Sequence, residues 1–187
     1  MSAALRPALP MDAGTFLEWP GDGINRLHAL IDGEPVAMAP ASPGHARLQA
    51  ELVIAIGLHL RAQRPHCRLA IEAGVQPHAR ASRNVRIPDI AVSCGPPGAR
   101  VIEDPLLIIE VLSPSNERET REAVRSCLTI PSLREAVIMH TLARRAEVYR
   151  LGEDGIWPAE PIMLEAADEL DLTSIGFRHQ LGTLYVD

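Results

Sequence analysis

A short apolar run at 106–113, Leu-Leu-Ile-Ile-Glu-Val-Leu-Ser, is interrupted by one acid, Glu110. Its length and branched aliphatic content are typical of a buried β-strand. Side chains alternate along a strand, so Glu110 shares a face with Leu106 and Ile108 and projects from an otherwise apolar surface. An unpaired buried charge is very costly, so this carboxylate requires a partner inside the fold.

The candidate partner is Asp89, which follows a proline and precedes Glu110 by 21 residues. On a strand, Asp89 would share a face with Val85 and Ile87. If the strands on either side of the 94–100 Gly/Pro loop pair, the two carboxylates meet at one end of a sheet. A divalent cation with oxygen ligands, Mg²⁺ or Mn²⁺, would relieve their repulsion. The acids therefore predict a metal site, although a turn aspartate and an arginine-paired glutamate would give the same pattern.

The chain has 187 residues and contains no lysine, because all 18 of its Lys+Arg residues are arginine. Its apolar fraction of 47% and charged fraction of 22% are ordinary for a globular protein with one core. A net charge of −6 argues against a protein that coats nucleic acid nonspecifically, since phosphate binding depends on basic residues. Arginines nevertheless flank the two acids, at Arg80, Arg83, Arg86, Arg118, Arg121 and Arg125.

The three cysteines, Cys67, Cys94 and Cys127, are widely spaced and lack a CxxC pair. This pattern predicts small buried thiols of a cytosolic protein rather than a disulfide or zinc framework. The N-terminus lacks the apolar segment of a secretory signal, and the apolar runs are too short to span a bilayer. We expect a cytoplasmic protein without a membrane segment, with a flexible tail at 1–11 and a single domain at 12–187.

Turn and cap signals divide the chain into short elements. A short helix is predicted at 12–18, and Asp32-Gly33 predicts a hairpin with strands at 27–30 and 34–38. Ser42-Pro43 begins a helix that runs to about residue 64. Apolar residues nearly encircle the middle of this helix, which indicates burial against a sheet or in a subunit interface.

Three strands are then predicted at 69–76, 85–92 and 106–112. Ser113-Pro114-Ser115 is a second helix-start signal, for a helix that ends near residue 128. A hairpin at 135–141 and 146–151 follows, and the acidic C-terminal stretch reads as loop with one short strand near Leu184. The order predicts an α/β fold, restriction-endonuclease-like, with a central mixed β-sheet flanked by helices.

Three segments carry a resemblance to a known family: Leu-Ile-Asp-Gly-Glu at 30–34, Arg-Ile-Pro-Asp-Ile-Ala-Val at 86–92, and Pro-Leu-Leu-Ile-Ile-Glu-Val-Leu-Ser-Pro-Ser at 105–115. With them, roughly residues 12–151 resemble the Uma family of restriction-endonuclease-like proteins in the PD-(D/E)XK nuclease superfamily. The resemblance implies a Mg²⁺- or Mn²⁺-dependent DNA endonuclease whose metal ligands are Asp89 and Glu110. It also implies a site-lining role for His45, for which a histidine at the helix start making one hydrogen bond is the alternative. Ser113 is a further candidate for the site lining, and so is Glu34, although an exposed hairpin glutamate is the simpler interpretation.

The resemblance fails at positions where the family carries polar site residues. The superfamily's lysine position, two residues after the acid, holds Leu112, and the Uma-type helix positions hold Thr120, Val124 and Leu128. Two further departures are Ala29, where the family has glutamate, and His140, where it has aspartate. Loss of polar site residues with a conserved apolar framework is the pattern of lost catalysis on a retained fold.

An arginine could replace part of the lysine's role. Arg121 and Arg125 lie one turn apart on the helix after Glu110. A guanidinium stays charged, so it cannot act as a base, but it can clamp a phosphate. Position 125 faces about 100° away from position 124, where the family's lysine would lie. The alternative is that Arg121 and Arg125 are solvated charges on the surface of the helix.

Two functions remain open from the sequence. The first is a metal-dependent endonuclease with reduced activity that acts on double-stranded DNA. The second is an inactive nuclease fold that binds nucleic acid or protein. Cutting both strands of a duplex favours two-fold symmetry, so we expect a homodimer.

Overall fold

The N-terminal elements form as the cap and turn signals predict. The computed structural model describes residues 10–24, 26–98, 100–113 and 116–186. Helix α1 (Ala13–Glu18) begins after Asp12, whose Oδ1 accepts a hydrogen bond from Thr15 N at 2.7 Å. Strands β1 (His28–Ile31) and β2 (Glu34–Ala37) pair as an antiparallel hairpin. Asp32 and Gly33 have φ values of 50° and 90°, as a two-residue hairpin turn requires.

Helix α2 (Pro43–Gln63) is the longest element, and Ser42 Oγ caps it by accepting a hydrogen bond from His45 N at 3.2 Å. One face, which includes Leu52 and Ile56, is fully buried against the sheet. On the opposite face Ile54 and Leu58 remain 55% and 60% exposed. The helix therefore packs on the sheet with one side and leaves a second apolar strip uncovered in the single chain.

A six-stranded mixed sheet forms the centre of the molecule, in the order β3-β4-β5-β6-β7-β8. Strands β5 and β6 are parallel, and every other neighbouring pair in this sheet is antiparallel. The β5–β6 crossover contains helix α3 (Glu117–Cys127). The strands are β3 (Arg68–Ile71), β4 (Ile90–Ser93), β5 (Pro105–Leu112), β6 (Glu135–His140), β7 (Arg145–Arg150) and β8 (Ile162–Glu165).

Two apolar layers cover the sheet. On one face, Ile109 and Val111 of β5 pack with α2 and with the C-terminal strands. On the other face, Ile108 and Leu112 pack with Val124 and Cys127 of α3. Alternation along β5 therefore directs Glu110 towards the α3 side.

The acidic C-terminal stretch is not loop-like, so that prediction was wrong. It contributes β8 to the central sheet, and β9 (Glu169–Leu172) pairs antiparallel with β10 (Phe177–Gln180). Leu170, Leu172 and Phe177 are buried while the intervening acids point outward, and those acids concealed the alternation in the sequence. Leu184 ends a 3₁₀ turn (Leu181–Leu184) rather than lying in a strand.

Several predicted bounds were also wrong. Strand β3 ends at Ile71, and β4 begins at Ile90 because Val85 and Arg86 form isolated bridges to Leu30 and Val75. Helix α3 begins after Asn116 rather than at the predicted 113–115 signal, of which 114 and 115 lie outside the described residues. So do residues 1–9 of the predicted tail, whereas Met11 N donates to Gly33 O at 2.7 Å.

Cys67 and Cys94 are joined by a disulfide, so the prediction of three free thiols was wrong. The register of β3 and β4 pairs Arg68 with Ser93, which sets the two cysteines opposite each other. Their separation of 27 residues gives no sign of this contact. The disulfide removes one argument for the predicted cytoplasmic location. In the described part of the chain, no helix is both long and apolar enough to cross a membrane.

Candidate active site

The structure brings Asp89 and Glu110 together on adjoining strands. Ile90 of β4 pairs with Ile109 of β5, so the antiparallel register continues to Asp89 and Glu110. Asp89 is 6% exposed and Glu110 is 9% exposed. Two carboxyl groups thus share a nearly solvent-free position beside the α3 layer.

Asp89 is held by groups from helix α2 and strand β5. Its Oδ2 accepts a hydrogen bond from Val111 N at 2.6 Å, and its Oδ1 lies 3.1 Å from His45 Nε2. Its backbone carbonyl accepts from Gln49 Nε2 at 3.0 Å. His45 and Gln49 are one helical turn apart and act on the same residue, which fixes the carboxylate towards Glu110.

His45 therefore contacts Asp89, and it also donates its backbone N–H to the helix cap, while its site-lining role stays a prediction. Gln49 was missed in the sequence. The signal that could have found it is its i+4 spacing from His45 on the buried face of α2.

Glu110 lies in an environment that disfavours its charged form. Burial raises the pKa of Glu110 well above its usual range, and the neighbouring Asp89 charge raises it further. The charge of Arg86 acts in the opposite direction on the pKa of the same group. Like-charge crowding of this kind is what a bound divalent cation relieves.

The donor set fits a hard divalent metal ion. Asp89 and Glu110 offer carboxylate oxygens, which are the ligands that Mg²⁺ and Mn²⁺ prefer. The two Asp89 oxygens each accept one protein contact, and a carboxylate oxygen has a second lone pair available for a metal. Asp89 and Glu110 could therefore hold the ion, while His45 and Gln49 position Asp89.

Arg86 is a cation whose charge acts on Glu110. Its Nε is buried and, among the side chains that the structure describes, is the one buried polar atom without a hydrogen-bond partner. Its backbone is fixed by hydrogen bonds in both directions with Val75, at 2.9 and 2.8 Å. Burial raises the pKa of both Glu110 and Cys127, and the positive charge of Arg86 opposes that rise in part. In the sequence it was only one of several flanking arginines.

Arg121 and Arg125 are not placed beside the carboxyl pair. Arg121 makes a bidentate ion pair with Glu147 of β7, with both contacts at 2.7 Å. Glu147 lies two strands away from Glu110, roughly 10 Å at the usual strand spacing. Arg125 is exposed and lines a cleft of about 620 Å³ together with Arg121. The guanidinium of Arg121, which was expected at the metal site, is therefore bound by the Glu147 carboxylate in bidentate geometry.

The other sequence candidates have separate positions. Glu34 is exposed on the β1–β2 hairpin, and Ser113 N donates to Asn116 Oδ1 at 2.9 Å in the turn before α3. At the positions where the family carries polar site residues, the residues of this chain pack in the interior or make local contacts. Thr120 and Val124 are buried, Ala29 is buried in β1, Leu128 lines the cleft, and His140 Nε2 contacts Glu147 Oε1 at 2.8 Å.

Comparisons with known proteins agree with this architecture. A family model described as "Uma2: Putative restriction endonuclease" matches residues 13–181. An uncharacterized protein from Synechocystis sp. is 26% identical over 174 residues, covering 91% of this chain and 88% of the relative. A crystal structure from Anabaena variabilis, described as "a putative nuclease belonging to DUF820", superposes with a TM-score of 0.76 at 18% identity, covering 94% of this chain and 98% of that one. The structural likeness confirms the predicted α/β fold with its central mixed sheet.

Proposed function

Because the chain belongs to the Uma2 family of restriction-endonuclease-like proteins, we propose that it is a metal-dependent endonuclease that hydrolyses phosphodiester bonds in double-stranded DNA. The observation that supports this proposal most directly is the buried pair Asp89 and Glu110 on adjoining strands. Buried carboxyl groups are costly unless they are paired or hydrogen-bonded, and a bound cation would relieve the repulsion between these two.

The residues of the chain have separate roles in this proposal. Asp89 and Glu110 bind Mg²⁺ or Mn²⁺, and His45 and Gln49 keep Asp89 in place. When bound, the metal supplies Lewis-acid activation of the phosphodiester and of the attacking water. As a metal ligand Glu110 would be ionised, because a ligating carboxylate must be deprotonated.

Arg86 supplies the positive charge that the missing lysine would otherwise bring. Its unpartnered Nε leaves it able to donate a hydrogen bond to a phosphate oxygen. A guanidinium stabilises developing negative charge but cannot accept the proton of the attacking water. The site thus has an electrostatic clamp without a lysine base, so we expect slow cleavage.

The second candidate, an inactive nuclease fold that binds nucleic acid or protein, is favoured by one observation. Val124, at the family's lysine position, is 1% exposed and packs in the apolar layer with Ile108 and Leu112. If this candidate is correct, the wild type binds metal and DNA without cutting, and Val124→Lys confers cutting.

The experiment that tests the first candidate is plasmid cleavage with Mg²⁺ or Mn²⁺. We expect Asp89→Asn to abolish cutting and Arg86→Gln to lower the rate by about 10²–10³-fold, the usual loss for a donor to developing charge. Arg86→Lys should retain more activity than Arg86→Gln. Glu153→Gln is the matched control, since Glu153 is an exposed acid in a distant turn. Cutting that persists in Asp89→Asn would refute the assigned site.

We further propose that the enzyme is a homodimer. Two-fold symmetry suits cleavage of both strands, and α2 exposes an apolar strip at Ile54 and Leu58. These side chains are one turn apart on a helix face that stays exposed among the residues that the structure describes.

A further inference from the structure

We propose that Cys67, Cys94 and His66 form a second metal site, for Zn²⁺, at the outer edge of the sheet when the disulfide is reduced. The two sulfur atoms and one ring nitrogen of His66 all lie within 4.8 Å of one another. In residues 10–24, 26–98, 100–113 and 116–186 no other group of three His, Cys, Asp or Glu ligand atoms is as close. The carboxyl pair at Asp89 and Glu110 is not part of this group.

The backbone fixes the three ligands independently of the metal. The β3–β4 register holds Cys67 opposite Cys94. His66 lies in a turn between α2 and β3, which closes with a hydrogen bond from Cys67 N to Arg64 O at 2.8 Å. Pro65 precedes His66, and its fixed φ angle restricts the backbone of the turn further. Little conformational entropy would therefore be lost when the three ligands bind an ion.

The ligand chemistry favours zinc over the metal of the carboxylate site. Zn–S bonds of about 2.3 Å and Zn–N bonds of about 2.0 Å in a tetrahedron place the ligand atoms roughly 3.5–3.8 Å apart. Binding of Zn²⁺ would require the two sulfur atoms to move apart to that spacing, which only the reduced pair can do. Two thiolates and one imidazole suit Zn²⁺, whereas Mg²⁺ prefers oxygen ligands.

The site is open to solvent on one side. His66 is exposed, Cys94 is half-buried, and Cys67 is buried beneath them. A reductant and a metal ion can thus reach the group, and a water molecule can take the fourth position. Cys94 is at the opposite end of β4 from Asp89, roughly 17 Å away at the usual rise per residue, so the two sites are distinct.

The disulfide form is converted to the zinc-bound form in two steps, reduction and metal binding. A dithiol reductant transfers two electrons and two protons to the disulfide, whose S–S bond breaks to give two thiols while the reductant becomes a disulfide. Zn²⁺ then displaces one proton from each thiol and bonds to both sulfurs and to the imidazole. Disulfide formation and zinc binding are thus mutually exclusive uses of the same pair.

Cobalt and zinc titrations of the intact, reduced chain test this proposal. We use Asp89→Ala as the background so that the carboxylate site contributes nothing. Reduced protein should bind one equivalent of Co²⁺, with thiolate-to-cobalt charge-transfer bands that Zn²⁺ abolishes. The oxidised protein should show none of these bands.

Two variants and a control assign the ligands. Cys94→Ser should remove the charge-transfer bands, and His66→Ala should weaken Zn²⁺ binding at least tenfold, about the smallest loss seen even for outer-shell partners. His78→Ala, an exposed histidine elsewhere on the chain, should bind as the background does. The proposal is overturned if the reduced protein shows no cobalt–thiolate bands, or if full affinity survives in either His66→Ala or Cys94→Ser. Either result leaves the Asp89–Glu110 proposal untouched.

Discussion

At the scale of single residues, Glu110 has an unfavourable environment in the metal-free chain. It is buried beside Asp89, and burial together with that charge raises its pKa well above the ordinary value of 4.5. A residue that lowers stability in the free protein and offers a ligand for a cation is typical of a functional site.

Glu110→Gln should therefore stabilise the metal-free protein at neutral pH. Folded Glu110 binds its proton more tightly than unfolded Glu110, so the stability it contributes is fully present below pH 4.5 and is lost as the pH rises through the raised pKa. The glutamine variant has no such loss. Thermal unfolding should show a gain that begins above pH 4.5 and grows as the pH rises towards the raised pKa of Glu110, with a Tm increase of roughly 2–4 °C for each kcal/mol. A difference that is constant over this range, or a destabilised variant at pH 7, would contradict the prediction, and Glu153→Gln should match the wild type.

At the scale of secondary-structure elements, α3 is tied to the sheet by one ion-pair cluster. Arg121 bonds to Glu147 of β7 and to Glu117 of its own helix, and His140 of β6 also contacts Glu147. Burial alone would raise the pKa of Glu147, but the hydrogen bonds from Arg121 and His140 lower it overall. The cluster thus contributes stability as well as orienting α3.

Arg121→Ala should destabilise the fold by about 1–3 kcal/mol, below the usual cost of breaking a fully buried pair because Arg121 is partly solvated. The pKa of Glu147 is lowered, so this stability is present above pH 4.5 and is lost as the pH falls through the folded value. Urea unfolding at several pH values checks both points. Arg118→Ala, which removes an exposed pair with Glu119, is the control. An equal cost at neutral and acidic pH would argue against the ion pair as the cause.

The elements were predictable where local chemistry determines them. Ser42-Pro43 begins α2, Asp32-Gly33 makes the hairpin turn, and Glu110 interrupts a buried strand, as the sequence indicates. Features that depend on strand register were not predictable. The disulfide follows from the pairing of β3 with β4, and the position of Arg86 follows from its isolated bridge to Val75.

The candidate site also has some residues that the sequence could predict and others that it could not. Asp89 and Glu110 were identifiable because acids in apolar strands need partners. Arg121 was expected at the site because it lies on the helix that follows Glu110. The sequence does not reveal that Glu147, 26 residues after Arg121, competes for the same guanidinium. Only the folded arrangement shows which carboxylate is nearer to a given arginine.

At the scale of the whole molecule, the exposed strip of α2 determines the predicted assembly. Leu58→Glu should convert a homodimer into a monomer, because it places a charge in the centre of the proposed interface. Sedimentation should give twice the chain mass of 20.3 kDa for the wild type and the single mass for the variant. Leu142→Glu, at an 84%-exposed leucine of the β6–β7 turn, is the control. A monomeric wild type at high concentration would refute the dimer.

Calorimetric titration of Mn²⁺ and Mg²⁺ into the oxidised, disulfide-bonded protein tests whether Asp89 and Glu110 form a metal site. We expect saturable metal binding to the wild type and to Glu153→Gln, and its loss in Asp89→Ala, with circular dichroism confirming that the variant is folded. Absence of binding to the wild type, or unchanged binding to Asp89→Ala, would contradict a metal site at Asp89 and Glu110.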